Sequence, residues 1–92
     1  MQTILAIDDE PSVRASYDLI LSGSYRVIQA EDGKTALRLL DTNHVDLIIL
    51  DLIMPGLPGM EVLEQITARS IRTPVVVVTA HKGVDTAVKA MK

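Results

Sequence analysis

The length, composition and charge of this chain exclude several classes of protein. Its 92 residues are 48% hydrophobic and 23% charged, which suits one small globular domain over residues 1–92, and a net charge of -3 gives no basic surface for nucleic acid or for a membrane. Without cysteine there is no disulfide or thiolate metal site, and without a long apolar N-terminal run we expect a cytoplasmic protein.

The first half of the chain predicts two strand–helix units. A short apolar run, Thr3 to Ile7, predicts the first strand, and Pro11 marks the start of a helix. The apolar residues of that helix share one face: Val13, Tyr17, Ile20 and Leu21. Tyr25 to Ala30 predicts the second strand, and Asp32 or Gly33 can cap a second helix that ends near Asn43.

The second half repeats the alternation of strand and helix. The apolar run Leu47 to Leu50 predicts a third strand, Gly59 to about Arg69 a third helix, and Val75 to Thr79 a fourth strand buried on both faces. A fourth helix is predicted from residues spaced i, i+3, i+4 and i+7: Val84, Ala87, Val88 and Met91. This alternation predicts an α/β fold with a parallel sheet and right-handed crossovers.

Three carboxylates follow predicted strands and are the candidate chemistry of this chain. Asp8 and Asp9 come directly after the first strand, and Asp51 comes after the third, beside a stiff loop rich in Pro and Gly. If these strands are neighbours, the three side chains meet at the carboxyl edge of the sheet, where open α/β sheets bind ligands. Negative charges at such a short distance repel each other and need a cation between them. A site with only oxygen ligands suits Mg²⁺.

Such a site has a chemical use. A Mg²⁺ beside a carboxylate favours phosphoryl transfer to that carboxylate, with Asp51 as the nucleophile that becomes an aspartyl phosphate. The hydroxyl of Thr79, at the end of the fourth strand, could bond a phosphoryl oxygen. Each residue taken alone has a plainer interpretation as a turn former, a helix cap or an ordinary strand residue, so the prediction depends on their joint position.

Three motifs together resemble the receiver domain of two-component response regulators. They are Ile7 to Pro11, Asp51 to Pro55 with Gly59, and Val78 to Ala80, and the similarity runs in register from Thr3 to Lys92. The resemblance implies a flavodoxin-like, doubly wound parallel sheet in which the first four strands have the order 2-1-3-4.

The resemblance also implies a role for each site residue. Asp51 would accept a phosphoryl group from a histidine kinase or phosphotransfer protein in a phosphorelay, and the domain would catalyse only its own phosphorylation and dephosphorylation. Mg²⁺ would be held by Asp9, Asp51 and the Ile53 carbonyl, with Asp8 acting through water. Thr79 would be the switch hydroxyl and the Ala80 amide a contact to the phosphoryl group.

The chain departs from the family at its C-terminal end. The family's fifth strand, with its lysine and aromatic residue, and its fifth helix have no counterpart, and no stop signal precedes Lys92, so we expect a truncated receiver. The missing elements would bury on the order of ten apolar side chains at roughly 1.5–3 kcal/mol each, against a net stability of about 5–15 kcal/mol. We therefore expect a homodimer or higher assembly that covers the exposed sheet edge and face.

Two alternative functions stay open from the sequence. One is a phosphorylation-incompetent truncated receiver that acts only as a self-associating scaffold. The other is a Mg²⁺-dependent phosphohydrolase with an aspartate nucleophile, although such enzymes usually carry a general acid at the position of Ile53.

Overall fold

The computed structural model describes residues 1–54, 56, 58–79 and 87–91, and within them a single five-stranded sheet with three helices. In chain order the elements are β1 (Thr3–Ile7), α1 (Pro11–Leu21), β2 (Arg26–Ala30), α2 (Gly33–Thr42), β3 (Leu47–Asp51), α3 (Gly59–Ala68), β4 (Val75–Thr79) and β5 (Ala87–Met91). The sheet order is β2-β1-β3-β4-β5. The strands β1 to β4 run parallel in the predicted order 2-1-3-4, so the flavodoxin-like expectation is confirmed.

The sheet does not end at β4, which corrects the expected exposed edge. The segment 87–91, predicted as part of a fourth helix, forms β5 and pairs antiparallel with β4. Helical spacing misled the prediction because Ala87, Val88 and Met91 also suit a strand, and pairing gives hydrogen-bond partners to the edge of β4. Val84 lies outside the described residues, and no parallel fifth strand occurs among the residues that are described.

Most of the hydrophobic core lies on one face of the sheet. Alternate residues of β1 and β3, among them Leu5 and Leu50, point to this face and pack against α2 and α3. The helices contribute buried side chains such as Leu37 and Val62. Helix α2 also begins as predicted, since the Asp32 side chain accepts a hydrogen bond from the Thr35 N–H at 2.7 Å.

The opposite face is covered by α1 alone among the described helices, and less completely. Ile4, Leu47 and Ile49 lie on this face and line a cavity of about 300 Å³ together with Leu21 of α1. Helix α1 itself contains no fully buried residue, and its Leu19 side chain is 83% exposed. The assignment of Ile20 to the inward face of this helix was wrong, because Ile20 is 75% exposed and the half-buried positions are Val13, Arg14, Tyr17 and Leu21. The two faces of one sheet are therefore packed very differently.

Candidate functional site

The three predicted carboxylates meet at the carboxyl edge of the sheet. Strands β1 and β3 are hydrogen-bonded neighbours with Ile7 opposite Leu50, so Asp8 and Asp51 lie side by side, one residue further along. One carboxylate oxygen from each of Asp8, Asp9 and Asp51 lies within 4.8 Å of the other two. The predicted juxtaposition of these side chains is therefore present in the structure.

Asp8 is the most constrained of the three carboxylates. Its side chain is only 7% exposed, and its Oδ1 accepts a hydrogen bond from the Glu10 N–H at 2.9 Å. Its N–H donates to the Ala30 carbonyl at 3.1 Å, which extends the ladder between β1 and β2 by one residue. Arg14 of α1 donates from Nη1 to the Asp8 carbonyl oxygen at 2.6 Å, so both ends of this turn are anchored.

Asp51 is held from the loop that follows β3. The Ile53 N–H donates to Asp51 Oδ1 at 3.1 Å, and the Gly59 N–H donates to the Leu52 carbonyl at 3.2 Å. A Cβ added to Gly59 would lie against the Asp51 carbonyl oxygen and 2.5 Å from Leu52 Cα. Only glycine therefore lets the first turn of α3 approach so near to the backbone that carries Asp51.

Both of the partly enclosed carboxyls are harder to ionise than an ordinary aspartate. Burial raises the pKa of Asp51, the hydrogen bond from the Ile53 N–H lowers it in part, and the charges of Asp8 and Asp9 raise it further. Burial likewise raises the pKa of Asp8, the Glu10 N–H and Arg14 lower it, and Asp9 raises it. Burial is therefore the main reason that both carboxyls resist ionisation, and the neighbouring negative charges add to it.

The structure describes only some of the remaining predicted site residues. Ile53 lies beside Asp51, and its apolar side chain is 54% exposed. This position can therefore offer only its backbone atoms to the site and cannot supply a general acid. Val78 is paired with Asp51, which places the backbone of Thr79, the last residue of β4, one residue beyond that level. The Thr79 side chain and Ala80 lie outside the described parts of the chain.

One residue near the site was not predicted as a site residue. Tyr17, which sequence analysis assigned only to the apolar face of α1, is half-buried on the side of the helix that faces the sheet. Burial raises its pKa, and the charges of Asp8 and Asp51 raise it further. The helical spacing shows that Tyr17 faces inward, but only the relative height of helix and strands shows what it faces.

Comparison with known proteins decides the family. The family model described as "Response regulator receiver domain" matches residues 4–92, nearly the whole chain. This chain belongs to the response regulator receiver domains. The resemblance seen in the three sequence motifs is thereby confirmed, and so is the fold that it implied.

Named relatives give the same result. The chain is similar to the regulatory protein AtoC of Escherichia coli (strain K12), with 37% identity over 91 residues that cover 97% of this chain and 20% of that protein. It is 42% identical over 79 residues to the alkaline phosphatase synthesis transcriptional regulatory protein PhoP of Bacillus subtilis (strain 168), covering 84% of this chain and 32% of that protein. The receiver thus spans about a fifth to a third of these two relatives.

A solved receiver structure has the same architecture. The response regulator TrrA of Thermotoga maritima, whose crystal structure is a complex with Mg²⁺ and BeF, aligns with a TM-score of 0.80 and 34% identity. The alignment covers 89% of this chain and 72% of that one. Among the described residues of the present receiver, no helix combines the length and the apolar character needed to cross a membrane.

Proposed function

We propose that this receiver is a phosphoacceptor module in which Asp51 takes a phosphoryl group from a histidine kinase or phosphotransfer protein. The observation that carries the proposal is the meeting of three carboxylates at one rim of the sheet, with Asp51 half-buried and still open to solvent. A nucleophile that must meet a donor on another protein needs this partial exposure, whereas a buried aspartate would be out of reach.

The transfer needs one bond to form and one to break. An oxygen of the Asp51 carboxylate attacks phosphorus, the bond between phosphorus and the donor's imidazole nitrogen breaks, and its electron pair leaves with the imidazole. The Ile53 N–H holds Oδ1 of Asp51 in place, which leaves Oδ2 as the attacking atom. Hydrolysis of the aspartyl phosphate by water returns the carboxylate and releases inorganic phosphate, so the domain turns over no other substrate.

The residues around Asp51 fit a bound Mg²⁺. The donor set consists of carboxylate and carbonyl oxygens, which this hard cation prefers, and three carboxylates lie close enough together to share one ion. Asp9, Asp51 and the Ile53 carbonyl would bind the ion directly, and Asp8 through water. Mg²⁺ would supply positive charge to the phosphoryl oxygens during transfer.

Residues at the end of β4 complete the proposed site. Thr79 would supply the switch hydroxyl that moves towards the phosphoryl group, and the Ala80 amide would bind a phosphoryl oxygen. The position of Thr79 in the strand next to β3 supports this assignment, because it puts the residue at the same edge as Asp51. The output of the switch then belongs to a partner or to another part of the protein, and this domain makes no direct contact with nucleic acid.

Self-association is a further part of the proposal. The edge of β4 is paired with β5 and does not support it, but the outward side of α1 presents two large apolar side chains, Leu19 and Ile20. A homodimer or higher assembly would remove these side chains from water. Without phosphorylation, the same surface would support the alternative function of a scaffold.

The experiment that tests the proposed function is incubation with Mg²⁺ and a small phosphodonor, followed by intact mass measurement. The wild-type protein gains the mass of one phosphoryl group, and Asp51→Ala gains none. A wild type that stays unmodified, or an Asp51→Ala variant labelled to the same extent, would contradict the phosphoacceptor function and favour the scaffold.

A further inference from the structure

The inward face of α1 consists of four residues. Every other position of this helix is exposed, and the four that are half-buried are Val13, Arg14, Tyr17 and Leu21. Their spacing places them on the side of the helix that lies over the sheet. Tyr17 is the one member of this set with a hydroxyl group.

Two contacts fix the height of Tyr17 relative to the strands. Leu21 lines the cavity at the amino end of the sheet with Ile4 and Ile49, and Arg14 reaches the carbonyl of Asp8 at the carboxyl end. Tyr17 lies between them on the same face, one turn or about 6 Å above Leu21. Helical side chains lean towards the N-terminus of their helix, which for α1 is the end next to the carboxylates.

The alternation of the strands brings the carboxylates to the same side. Asp8 follows Ile4 and Ala6 at intervals of two residues, and Asp51 follows Ile49, so all of these side chains point to the face that α1 covers. The phenol of Tyr17 therefore extends towards the edge of the sheet that carries Asp8 and Asp51. The charges of both carboxylates act on its pKa, as expected for this approach, and at neutral pH the phenol keeps its proton.

We propose that the Tyr17 hydroxyl donates a hydrogen bond to the anionic group carried on Asp51, and that it is a phosphoryl-contacting residue of this receiver. The inference rests on the proposed function and adds a residue to it. Arg14 donates to a backbone carbonyl and the Glu10 and Ile53 amides donate to the carboxylates, so these three donors already have partners within the protein. A neutral hydroxyl can bind a phosphoryl oxygen without competing for the cation.

The test compares removal of the two tyrosine hydroxyls of the chain. Tyr17→Phe keeps the ring and loses only the oxygen, and Tyr25→Phe is the matched control because Tyr25 lines the cavity at the amino end of the sheet. Each variant is titrated calorimetrically with Mg²⁺ alone and then with beryllium fluoride in saturating Mg²⁺, a tetrahedral mimic of the phosphoryl group. The rate of phosphoryl loss from Asp51 is followed by intact mass.

The expected result is specific to the mimic. Tyr17→Phe binds beryllium fluoride about tenfold more weakly, the size of one hydrogen bond to a charged group, and its affinity for Mg²⁺ alone is unchanged. Tyr25→Phe matches the wild type in both titrations. Equal beryllium fluoride affinity of Tyr17→Phe and wild type, or an equal loss of Mg²⁺ affinity, would overturn the inference and leave the proposed function standing.

A second measurement does not depend on the folding of Tyr17→Phe. In Tyr25→Phe protein carrying ¹³Cζ-labelled tyrosine, the single signal of Tyr17 shifts when beryllium fluoride is added in the presence of Mg²⁺, and an unmoved signal would overturn the inference. A wild type that neither binds beryllium fluoride nor becomes phosphorylated would overturn the proposed function and the inference together.

Discussion

The two faces of the sheet contrast in how much they bury. On the α2 and α3 side, residues such as Leu5, Leu50 and Val62 are fully buried in one continuous core. On the α1 side, the helix itself buries no residue completely. Asp8 and Asp51 are aligned with the second face by strand alternation. The stability of this receiver therefore comes mainly from one face, and its proposed phosphoacceptor site is directed to the other.

The largest effect should come from truncating a leucine on the packed face. Leu50→Ala removes a side chain that is 0% exposed and leaves a cavity, which should lower the free energy of unfolding by about 2–5 kcal/mol. Leu19→Ala makes the same chemical change on α1 at a side chain that is 83% exposed, and should change stability by less than about 0.5 kcal/mol. Urea unfolding of both variants measures the difference. Equal losses of unfolding free energy in the two variants would contradict the difference in packing between the two faces.

A smaller effect is expected where the packed face supports the site. Gly59→Ala introduces a Cβ against the backbone of Asp51 and Leu52, so α3 must move, at a cost of about 1–3 kcal/mol. Gly23→Ala is the matched control, because a Cβ there meets nothing within 4 Å. We expect Gly59→Ala also to weaken Mg²⁺ binding in calorimetry, since the end of β3 that carries Asp51 and the loop after it shift. Normal Mg²⁺ affinity in that variant would show that the close approach does not position the site.

The pH dependence of stability should reveal the charge cluster. The pKa of Asp51 is raised in the folded protein. Its favourable contribution to the free energy of unfolding is therefore complete below the pKa of the unfolded chain, about 3.8, and is lost as the pH rises through the pKa of the folded protein. Without Mg²⁺, Asp51→Asn should therefore be more stable than wild type at neutral pH and not at pH 3. Thermal unfolding across this range measures the difference, and a wild type that is the more stable at neutral pH would contradict it.

Mg²⁺ should reverse the order of stability of the wild type and Asp51→Asn at neutral pH. At ten times its dissociation constant, the ion should stabilise the wild type by about 1.4 kcal/mol, and Asp51→Asn by much less. The same thermal unfolding experiment with added Mg²⁺ measures this, with Ca²⁺ as a comparison ion. Equal stabilisation of the two proteins would place the bound ion elsewhere.

The smallest effect concerns self-association through α1. Exchange of Leu19 and Ile20 for glutamine should shift the protein towards monomer in sedimentation velocity, since both side chains are largely exposed in the single chain. At concentrations where the wild type is also monomeric, the unfolding midpoint should not change. A wild type that sediments as a monomer at all concentrations would remove self-association from the proposal.

Much of the fold could be predicted because its signals are local. Unbroken apolar runs predict buried parallel strands, and Asp32 predicts its helix cap. The meeting of Asp8, Asp9 and Asp51 could also be predicted, since topology alone brings the ends of neighbouring parallel strands together.

The missed features depend on distant partners. The segment 87–91 has a spacing that fits a helix, and it becomes a strand because β4 offers an unpaired edge. The position of Tyr17 depends on how far α1 slides along the sheet, which no periodicity within the helix specifies. Hydrophobic spacing predicts which side of an element faces inward, but not which residues it meets there.

The most direct test of the central claim is to locate the phosphoryl group after labelling with a small phosphodonor and Mg²⁺. Borohydride reduces an aspartyl phosphate to homoserine, so peptide mass spectrometry identifies the modified residue. The account predicts homoserine at position 51, dependent on Mg²⁺. Homoserine at position 8 or 9, or no reduced residue in a protein that has gained phosphate, would contradict it.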